Sequence, residues 1–286
     1  EHPSVLETVK RLEDEGLEVI RLKPQNDGKI APSALENALT GNTVLVSMML
    51  VNNETGAIQP IEEAVKLTKS IAPNAIFHCD AVQAYGKLPI NIKRLGCDLM
   101  SASGHKIHGP KGTGVLYIKK GTHLDPILFG GGQQKGIRPG TENVPGIAGL
   151  GVAAKKCHTN SKTSTEHMRK VLNRLKQKLV ENIDNIRINT PQDCAPHILN
   201  VSFGGVRSEV LLHSLENEGI YVSSGSACSS HKKEPSYVLT AIGVDRAMID
   251  GSIRFSLCEF NTEEEADRVA ADAAAIVKRL RKLNLR

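Results

Sequence analysis

Three polar segments follow short apolar runs and carry residue types that could do chemistry. VNNETG (51–56) contains Asn53, HCDAVQAYGK (78–87) contains Asp80, and SASGHKIHGPKGTG (101–114) contains Lys106. A lysine beside a buried strand end is unfavourable unless it is neutralised or used covalently. Taken singly, Asp80 is typical of a cap or turn and Lys106 of a solvated loop.

Together these residues predict a more specific chemistry. Short apolar runs alternate with longer amphipathic ones, which is the pattern of an α/β domain, and ligands of open α/β sheets bind at the strand ends. A lysine for a Schiff base, an acid for a pyridine nitrogen and an amide donor are the groups that pyridoxal phosphate uses. We expect Asn53, Asp80 and Lys106 to stand at one edge of one parallel sheet, with Ser103 and His105 at the phosphate end or around the ring.

The elements that must position these residues can be read along the chain. In the first half, strands are predicted at TVLVSMML (43–50), AIFHCD (75–80), DLMSAS (98–103) and GVLYIK (114–119), with a helix over 61–72. A Gly- and Pro-rich loop (129–146) follows, and after it we predict a small-residue helix (147–157) and a polar helix near 164–182. The remaining elements are the strand ILNVSF, the helix SEVLLHSLENEG, a loop, the helix SYVLTAIG, the strand SIRFSL and a last helix that begins with a capping box at 262–265. We expect a large domain at 1–155 and a small α+β domain at 156–286.

Composition argues against several classes of function. The net charge is +5, but aromatic residues make up 3% and Trp is absent, which does not favour nucleic-acid binding. No apolar run approaches the length needed to span a bilayer, and the acidic start EHPSVLETVKRLEDEG is unlike a signal peptide. We therefore expect neither a nucleic-acid nor a membrane partner.

The six cysteines contain no C-x-x-C pair, so they indicate neither a zinc ribbon nor a disulfide framework. A reduced, cytoplasmic compartment is the simplest context. His105 and His108 could bind zinc only from a helix, and Gly109 and Pro110 argue against one, so no metal is expected.

One cysteine lies in a segment of small residues, SSGSACSSHKKEP (223–235), which carries Cys228. Such a composition builds little core, so we expect this loop to be poorly ordered. His231, Lys232 and Lys233 could raise the thiolate fraction of Cys228, or could simply solvate the loop.

VNNETG, HCDAVQAYGKLPI, DLMSASGHKIHGPKGTGVLYI, GGGQQKGIRPGTENV, SSGSACSS and SIRFSL occur in one order along the chain. Together they resemble the NifS-like cysteine desulfurases of the class V aminotransferase family. The resemblance implies a fold-type I, aspartate-aminotransferase-like fold with a three-layer α/β large domain. That family has a further segment before Glu1, with a turn that binds the cofactor phosphate, so the large domain is expected to be truncated here.

The resemblance implies a role for each matching residue. Lys106 would be the Schiff-base lysine, Cys228 the nucleophile, and His2 the residue that stacks on the ring and assists proton transfer. Cofactor or substrate contacts would come from Asp80, Gln83, Asn53, Ser103 and His105. Thr141 would reach the partner subunit's phosphate, which implies a homodimer, and Arg254 would bind the substrate carboxylate.

The implied reaction converts L-cysteine to L-alanine and leaves a persulfide on Cys228. A sulfur-acceptor protein such as an iron–sulfur scaffold is the expected partner. Selenocysteine lyase, another class V transaminase and an inactive fragment that only docks partners are the alternatives.

Overall fold

The computed structural model describes residues 1–224 and 235–284. Cys228 and the expected poor order of its loop therefore lie outside the described residues. The elements, in chain order, are α1 (Pro3–Asp14), α2 (Pro32–Ala38), β1 (Leu45–Met49), α3 (Ile61–Ile71), β2 (Ile76–Asp80), α4 (Ile92–Leu95), β3 (Leu99–Ser103), a 3-10 turn (Gly104–Ile107), β4 (Gly114–Ile118), a second 3-10 turn (Gln133–Gly136), α5 (Val144–Thr159), α6 (Ser161–Asn182), β5 (Ile186–Ile188), β6 (Ile198–Phe203), α7 (Ser208–Asn217), α8 (Tyr237–Ala241), α9 (Arg246–Ile249), β7 (Ser252–Ser256) and α10 (Glu263–Asn284).

The chain divides into two compact units that interleave along the sequence. The first, here the Arg254 unit, comprises Glu1–Ala38, Val51–Pro60 and Lys162–Arg286. The second, here the Lys106 unit, comprises Leu39–Leu50 and Ile61–Ser161. The division into domains at 1–155 and 156–286 stays a prediction.

The Lys106 unit contains a four-stranded sheet in the order β1-β2-β3-β4. β1, β2 and β3 run parallel, and the core positions Phe77 and Cys79 of β2 are fully buried. All four predicted strands are confirmed, as is the helix after Pro60. The expectation of one parallel sheet is wrong at its edge, because β4 pairs antiparallel with β3. The connection between them is too short for the crossover that a parallel pair needs.

The Arg254 unit contains a three-stranded antiparallel sheet in the order β5-β6-β7. Alternate residues of the central strand β6, Leu199, Val201 and Phe203, are fully buried and belong to one apolar cluster with α6, α7 and α10. The predicted capping box is confirmed at the start of α10, where Glu265 N–H donates to Thr262 Oγ1 at 3.2 Å and Thr262 N–H donates to Glu265 Oε2 at 3.1 Å.

No helix within residues 1–224 and 235–284 has both the length and the apolarity needed to cross a lipid bilayer.

Asp98, the residue before β3, is a buried ionic anchor of the Lys106 unit. Lys69 Nζ lies 2.6 Å from its Oδ2 and Lys119 Nζ lies 3.3 Å from its Oδ1. The backbone N–H of Phe77 donates to Oδ2 at 2.9 Å. Burial alone would raise the pKa of Asp98, but the hydrogen bonds from Lys69, Phe77 and Lys119 and the charge of Lys69 lower it below its usual value.

Replacing Asp98 with asparagine is expected to lower the free energy of unfolding at pH 7 by about 1–3 kcal/mol, since it removes the charge opposite two lysines. A carboxyl with a lowered native pKa stabilises the fold above its unfolded pKa of about 3.9, and the gain is lost as pH falls through the native pKa. Urea unfolding followed by circular dichroism should therefore show the difference at pH 7 and little of it near pH 2. Asp125→Asn, at an exposed site, should change stability by less than about 0.5 kcal/mol, and an equal loss there would contradict the assignment.

Candidate active site

Lys106 is carried by the 3-10 turn Gly104–Ile107, which begins where β3 ends. The turn closes against the start of the next strand, because Gly104 N–H donates to the Thr113 carbonyl at 2.9 Å. A side chain at position 104 would place Cβ 2.5 Å from Thr113 Oγ1, so the close approach requires glycine. Ile107 is buried and holds the turn to the core, while Lys106 is exposed. The fold thus presents the lysine amine at the carboxyl end of β3.

Asp80 is the last residue of β2 and is 7% exposed. β2 and β3 are parallel neighbours in which Asp80 lies opposite Ser101. One carboxylate oxygen, Oδ1, accepts from the Val82 N–H at 2.8 Å, which fixes the side chain in the turn that follows the strand. Since parallel strands end at the same edge, the structure brings Asp80 and Lys106 to one edge of this sheet.

Ser103 and His105 lie on either side of Gly104 and contact each other. Ser103 Oγ and His105 Nδ1 are 2.8 Å apart. Partial burial and the positive charges of Lys106 and Lys111 lower the pKa of His105, so its imidazole is neutral at pH 7. The pair therefore offers a hydroxyl and a neutral ring beside two lysines, which is a suitable setting for an anion.

Two further predicted residues lie elsewhere in the Lys106 unit. Gln83 is half-buried in the turn that follows Asp80, whose backbone is closed by Ala84 N–H donating to the Ala81 carbonyl at 2.9 Å. Thr141 is exposed in the loop between the second 3-10 turn and α5. Its predicted contact with a partner subunit stays a prediction.

Asn53 and Arg254 belong to the Arg254 unit and contact each other. The segment 51–58 is a tight turn with a Val51–Ile58 bridge, in which Asn52 Oδ1 accepts from the backbone N–H groups of Glu54 and Thr55, each at 2.9 Å. Arg254 Nη1 donates to the Asn53 carbonyl at 2.8 Å. The side-chain oxygen Oδ1 of Asn53 is buried and has no hydrogen-bond partner among the described residues.

The backbone of Arg254 is fixed by a second partner. Its N–H donates to the Ser223 carbonyl at 2.7 Å, and Ser223 N–H donates back to the Arg254 carbonyl at 3.1 Å. Arg254 Nη2 also donates to Ser223 Oγ at 3.3 Å. The half-buried guanidinium is thus oriented by main-chain and side-chain contacts on both sides.

His2, also in the Arg254 unit, is the N-cap of α1. Its Nδ1 accepts from the Ser4 N–H at 3.1 Å and lies 2.9 Å from Ser4 Oγ. A nitrogen that accepts a backbone N–H carries no proton itself, so the neutral imidazole holds its proton on Nε2. The cap therefore selects the tautomer of His2.

Two residues with unusual contacts were not among those predicted from the sequence. Glu54 is 1% exposed and accepts a hydrogen bond on Oε2 from Ser236 Oγ at 2.5 Å. The sequence signal was a charged residue inside VNNETG, directly after a buried strand. For Ser236 the signal was its place as the first residue of the predicted helix segment SYVLTAIG, which is typical of an N-cap.

The sequence profile of the family Aminotransferase class-V matches residues 1–269. The chain belongs to this family. Its curated relatives include a cysteine desulfurase of Nostoc sp. (strain PCC 7120), which is 46% identical over 99% of this chain and 71% of its own length. The cysteine desulfurase IscS of Methanosarcina thermophila is 45% identical over 99% of this chain and 70% of its own length.

Solved structures of similar proteins show the same fold. A NifS-like protein superposes with a TM-score of 0.90 at 39% identity and is matched over 97% of this chain and 73% of its own. SspA in complex with cysteine gives a TM-score of 0.78 at 33% identity, over 92% of this chain and 72% of its own. This class V aminotransferase chain therefore has the fold-type I architecture that the sequence motifs predicted.

Proposed function

We propose that this chain is a pyridoxal-phosphate-dependent cysteine desulfurase that converts L-cysteine to L-alanine and collects the sulfur on Cys228. One observation carries the proposal: buried Asp80 ends β2, and exposed Lys106 lies in the turn that follows the neighbouring strand β3, at the same sheet edge, in a chain whose curated relatives include cysteine desulfurases. A carboxylate and an amine in this arrangement suit a lysine-linked pyridine cofactor.

The residues present fit pyridoxal phosphate. Lys106 Nζ would hold it covalently, Asp80 would pair with the pyridine nitrogen, and Ser103 with His105 would contact the phosphate. The unpartnered Asn53 Oδ1 and the side chain of Gln83 would serve the ring oxygen or the substrate. When bound, the cofactor supplies an electron sink for negative charge that develops on the substrate.

The chain's own residues then have separate tasks. Arg254, oriented by Asn53 and Ser223, would bind the substrate carboxylate through two N–H groups. Lys106 and the Nε2 of His2 would move protons to and from the substrate carbons. The Cys228 thiolate would attack the substrate sulfur, so that the carbon–sulfur bond breaks, a sulfur–sulfur bond forms and the carbon takes a proton as alanine.

The proposal extends to partners and location. Thr141, exposed in its loop, would reach the phosphate of a second subunit's site in a homodimer. A sulfur-acceptor protein such as an iron–sulfur scaffold would take the persulfide sulfur, and the cytoplasm would keep Cys228 reduced.

Incubation of the chain with pyridoxal phosphate, L-cysteine and a thiol reductant is expected to release alanine and sulfide in equal amounts. Chromatography of the amino acids and a colorimetric sulfide assay would measure both products. Turnover of selenocysteine alone would indicate a selenocysteine lyase, and amino transfer to a keto acid without sulfide would indicate a transaminase. No turnover together with no borohydride-fixed adduct on Lys106 would indicate a docking fragment.

A further inference from the structure

Glu54 is a buried acid in the Arg254 unit to which the mechanism above gives no task. Its side chain is 1% exposed, and its Oε2 accepts from Ser236 Oγ at 2.5 Å across 182 residues of sequence. Burial raises the pKa of Glu54, against the hydrogen bond from Ser236 and the positive charge of Arg254, which lower it. Burying a carboxyl lowers stability unless the group is hydrogen-bonded, so the contact with Ser236 reduces the free-energy cost of burying Glu54.

Ser236 lies between the segment that carries Cys228 and the helix α8. It is the N-cap of α8, since its Oγ also accepts from the Leu239 N–H at 3.1 Å. Leu239 is fully buried in a small apolar cluster with Ile242, Val244 and Ile249. The segment that carries Cys228 joins the chain directly before this cap, so the bond to Glu54 fixes the C-terminal base of that segment.

The N-terminal base of the same segment is linked to the same turn through Arg254. Ser223 pairs with the backbone of Arg254 in both directions, and Arg254 Nη1 donates to the carbonyl of Asn53. Asn53 and Glu54 are neighbours in the buried turn 51–58, whose shape is set by Asn52. The turn is therefore linked directly to Ser236 and, through Arg254, to Ser223. These two residues, here the anchor pair, lie on opposite sides of Cys228 in the sequence.

We propose that Glu54 is a positioning residue for sulfur transfer, acting through its hydrogen bond to Ser236 to hold the anchor pair in fixed relation to Arg254. The inference deepens the proposed desulfurase function and rests on it. Cys228 is five residues after Ser223 and eight before Ser236 in the chain. At about 3.5 Å per residue, covalent connectivity limits its reach to roughly 18 Å from the first anchor and 28 Å from the second.

Fixing both ends matters for rate, because a tethered group reacts at an effective concentration set by its tether. Releasing one attachment point of the tether lowers that concentration. The substrate carboxylate would still be bound by Arg254, which keeps its own contacts with Ser223. Loss of the Glu54 bond should therefore slow transfer to Cys228 without weakening substrate binding.

The test compares Glu54→Ala, Glu54→Gln and Ser236→Ala in the chain loaded with pyridoxal phosphate. A single turnover with L-cysteine is followed by mass spectrometry of the Cys228 persulfide, normalised to titrated active sites. Glu54→Ala and Ser236→Ala should each lower the rate about tenfold, with less than a twofold change in the KM for L-cysteine. Glu54→Gln keeps an acceptor oxygen for Ser236 and should retain most of the rate. The double variant Glu54→Ala/Ser236→Ala should lose no more than either single one.

A merely structural role would reduce the number of active sites and leave the rate per site unchanged, which would overturn the proposal. An equal loss in Glu54→Gln and Glu54→Ala would also overturn it. Glu209→Gln, at an exposed position of α7, and Ser214→Ala, at a half-buried position where the hydroxyl donates to the Val210 carbonyl of the same helix, are the matched controls and should behave as wild type.

Hydrogen exchange separates this inference from the proposed function. Glu54→Ala and Ser236→Ala should raise amide exchange about tenfold in Tyr237–Ala241 and leave α10 unchanged, whether or not the chain turns over cysteine. If wild type makes no alanine, the desulfurase proposal fails. Hydrogen exchange alone then tests whether the hydrogen bond from Ser236 to Glu54 holds the start of α8 in place. Unchanged exchange at α8 in both variants would refute it.

Discussion

Replacing Cys228 with alanine is expected to lower alanine formation from L-cysteine by at least about 10³-fold and to leave pyridoxal phosphate bound. The thiolate is the nucleophile that accepts the substrate sulfur, and alanine has no atom that can replace it. Cofactor binding is expected to survive because the proposed cofactor contacts come from Lys106, Asp80 and their neighbours and not from Cys228. The measurements are alanine release per active site and the visible absorption of the purified variant.

The matched control for this prediction is Cys258→Ala. Cys258 is half-buried just after β7 and belongs to the Arg254 unit. It should retain activity within about twofold, because no step of the proposed reaction uses it. Sulfide release by Cys228→Ala at the wild-type rate would remove Cys228 from the mechanism, and loss of the cofactor band would show that the substitution acts through folding.

Much of the Lys106 unit could be predicted from the sequence because its signals are local. Each predicted strand is a short apolar run, and the residues of interest follow it directly, so Asp80 and Lys106 reach one edge once the strands run parallel. The orientation of β4 could not be predicted in this way. An apolar run such as GVLYIK has the same periodicity in either direction, and the length of the connection decides.

The long-range contacts of the Arg254 unit could not be predicted from local patterns. Asn53 and Arg254 are 201 residues apart in sequence, and Glu54 and Ser236 are 182 apart. Resemblance to a family supplied a role for Arg254 but not the residue that orients it. VNNETG alone was read as one amide donor, whereas the folded turn contributes a backbone carbonyl from Asn53 and a buried carboxylate from Glu54. Such roles depend on which distant segment packs against the turn.

Replacing Lys106 with alanine is expected to abolish covalent attachment of pyridoxal phosphate and to lower turnover of L-cysteine by at least about 10³-fold. Lys106 is the amine that the 3-10 turn exposes at the end of β3, next to the strand that ends in Asp80. Its amine is the group proposed both to hold the cofactor and to exchange protons with the substrate. Borohydride reduction followed by peptide mass spectrometry should place one reduced pyridoxyl group on wild-type Lys106 and none on the variant.

Lys111→Ala provides the comparison that separates covalent chemistry from charge. Lys111 is exposed in the same loop and, like Lys106, lowers the pKa of His105 by its positive charge. Its removal should weaken cofactor affinity by no more than a few-fold, because a surface charge near a phosphate contributes modestly. Lys106→Arg keeps the positive charge without a reactive amine, so it should be as inactive as Lys106→Ala. An adduct on Lys111, or turnover by Lys106→Arg close to that of wild type, would show that the 3-10 turn positions Lys106 for charge alone.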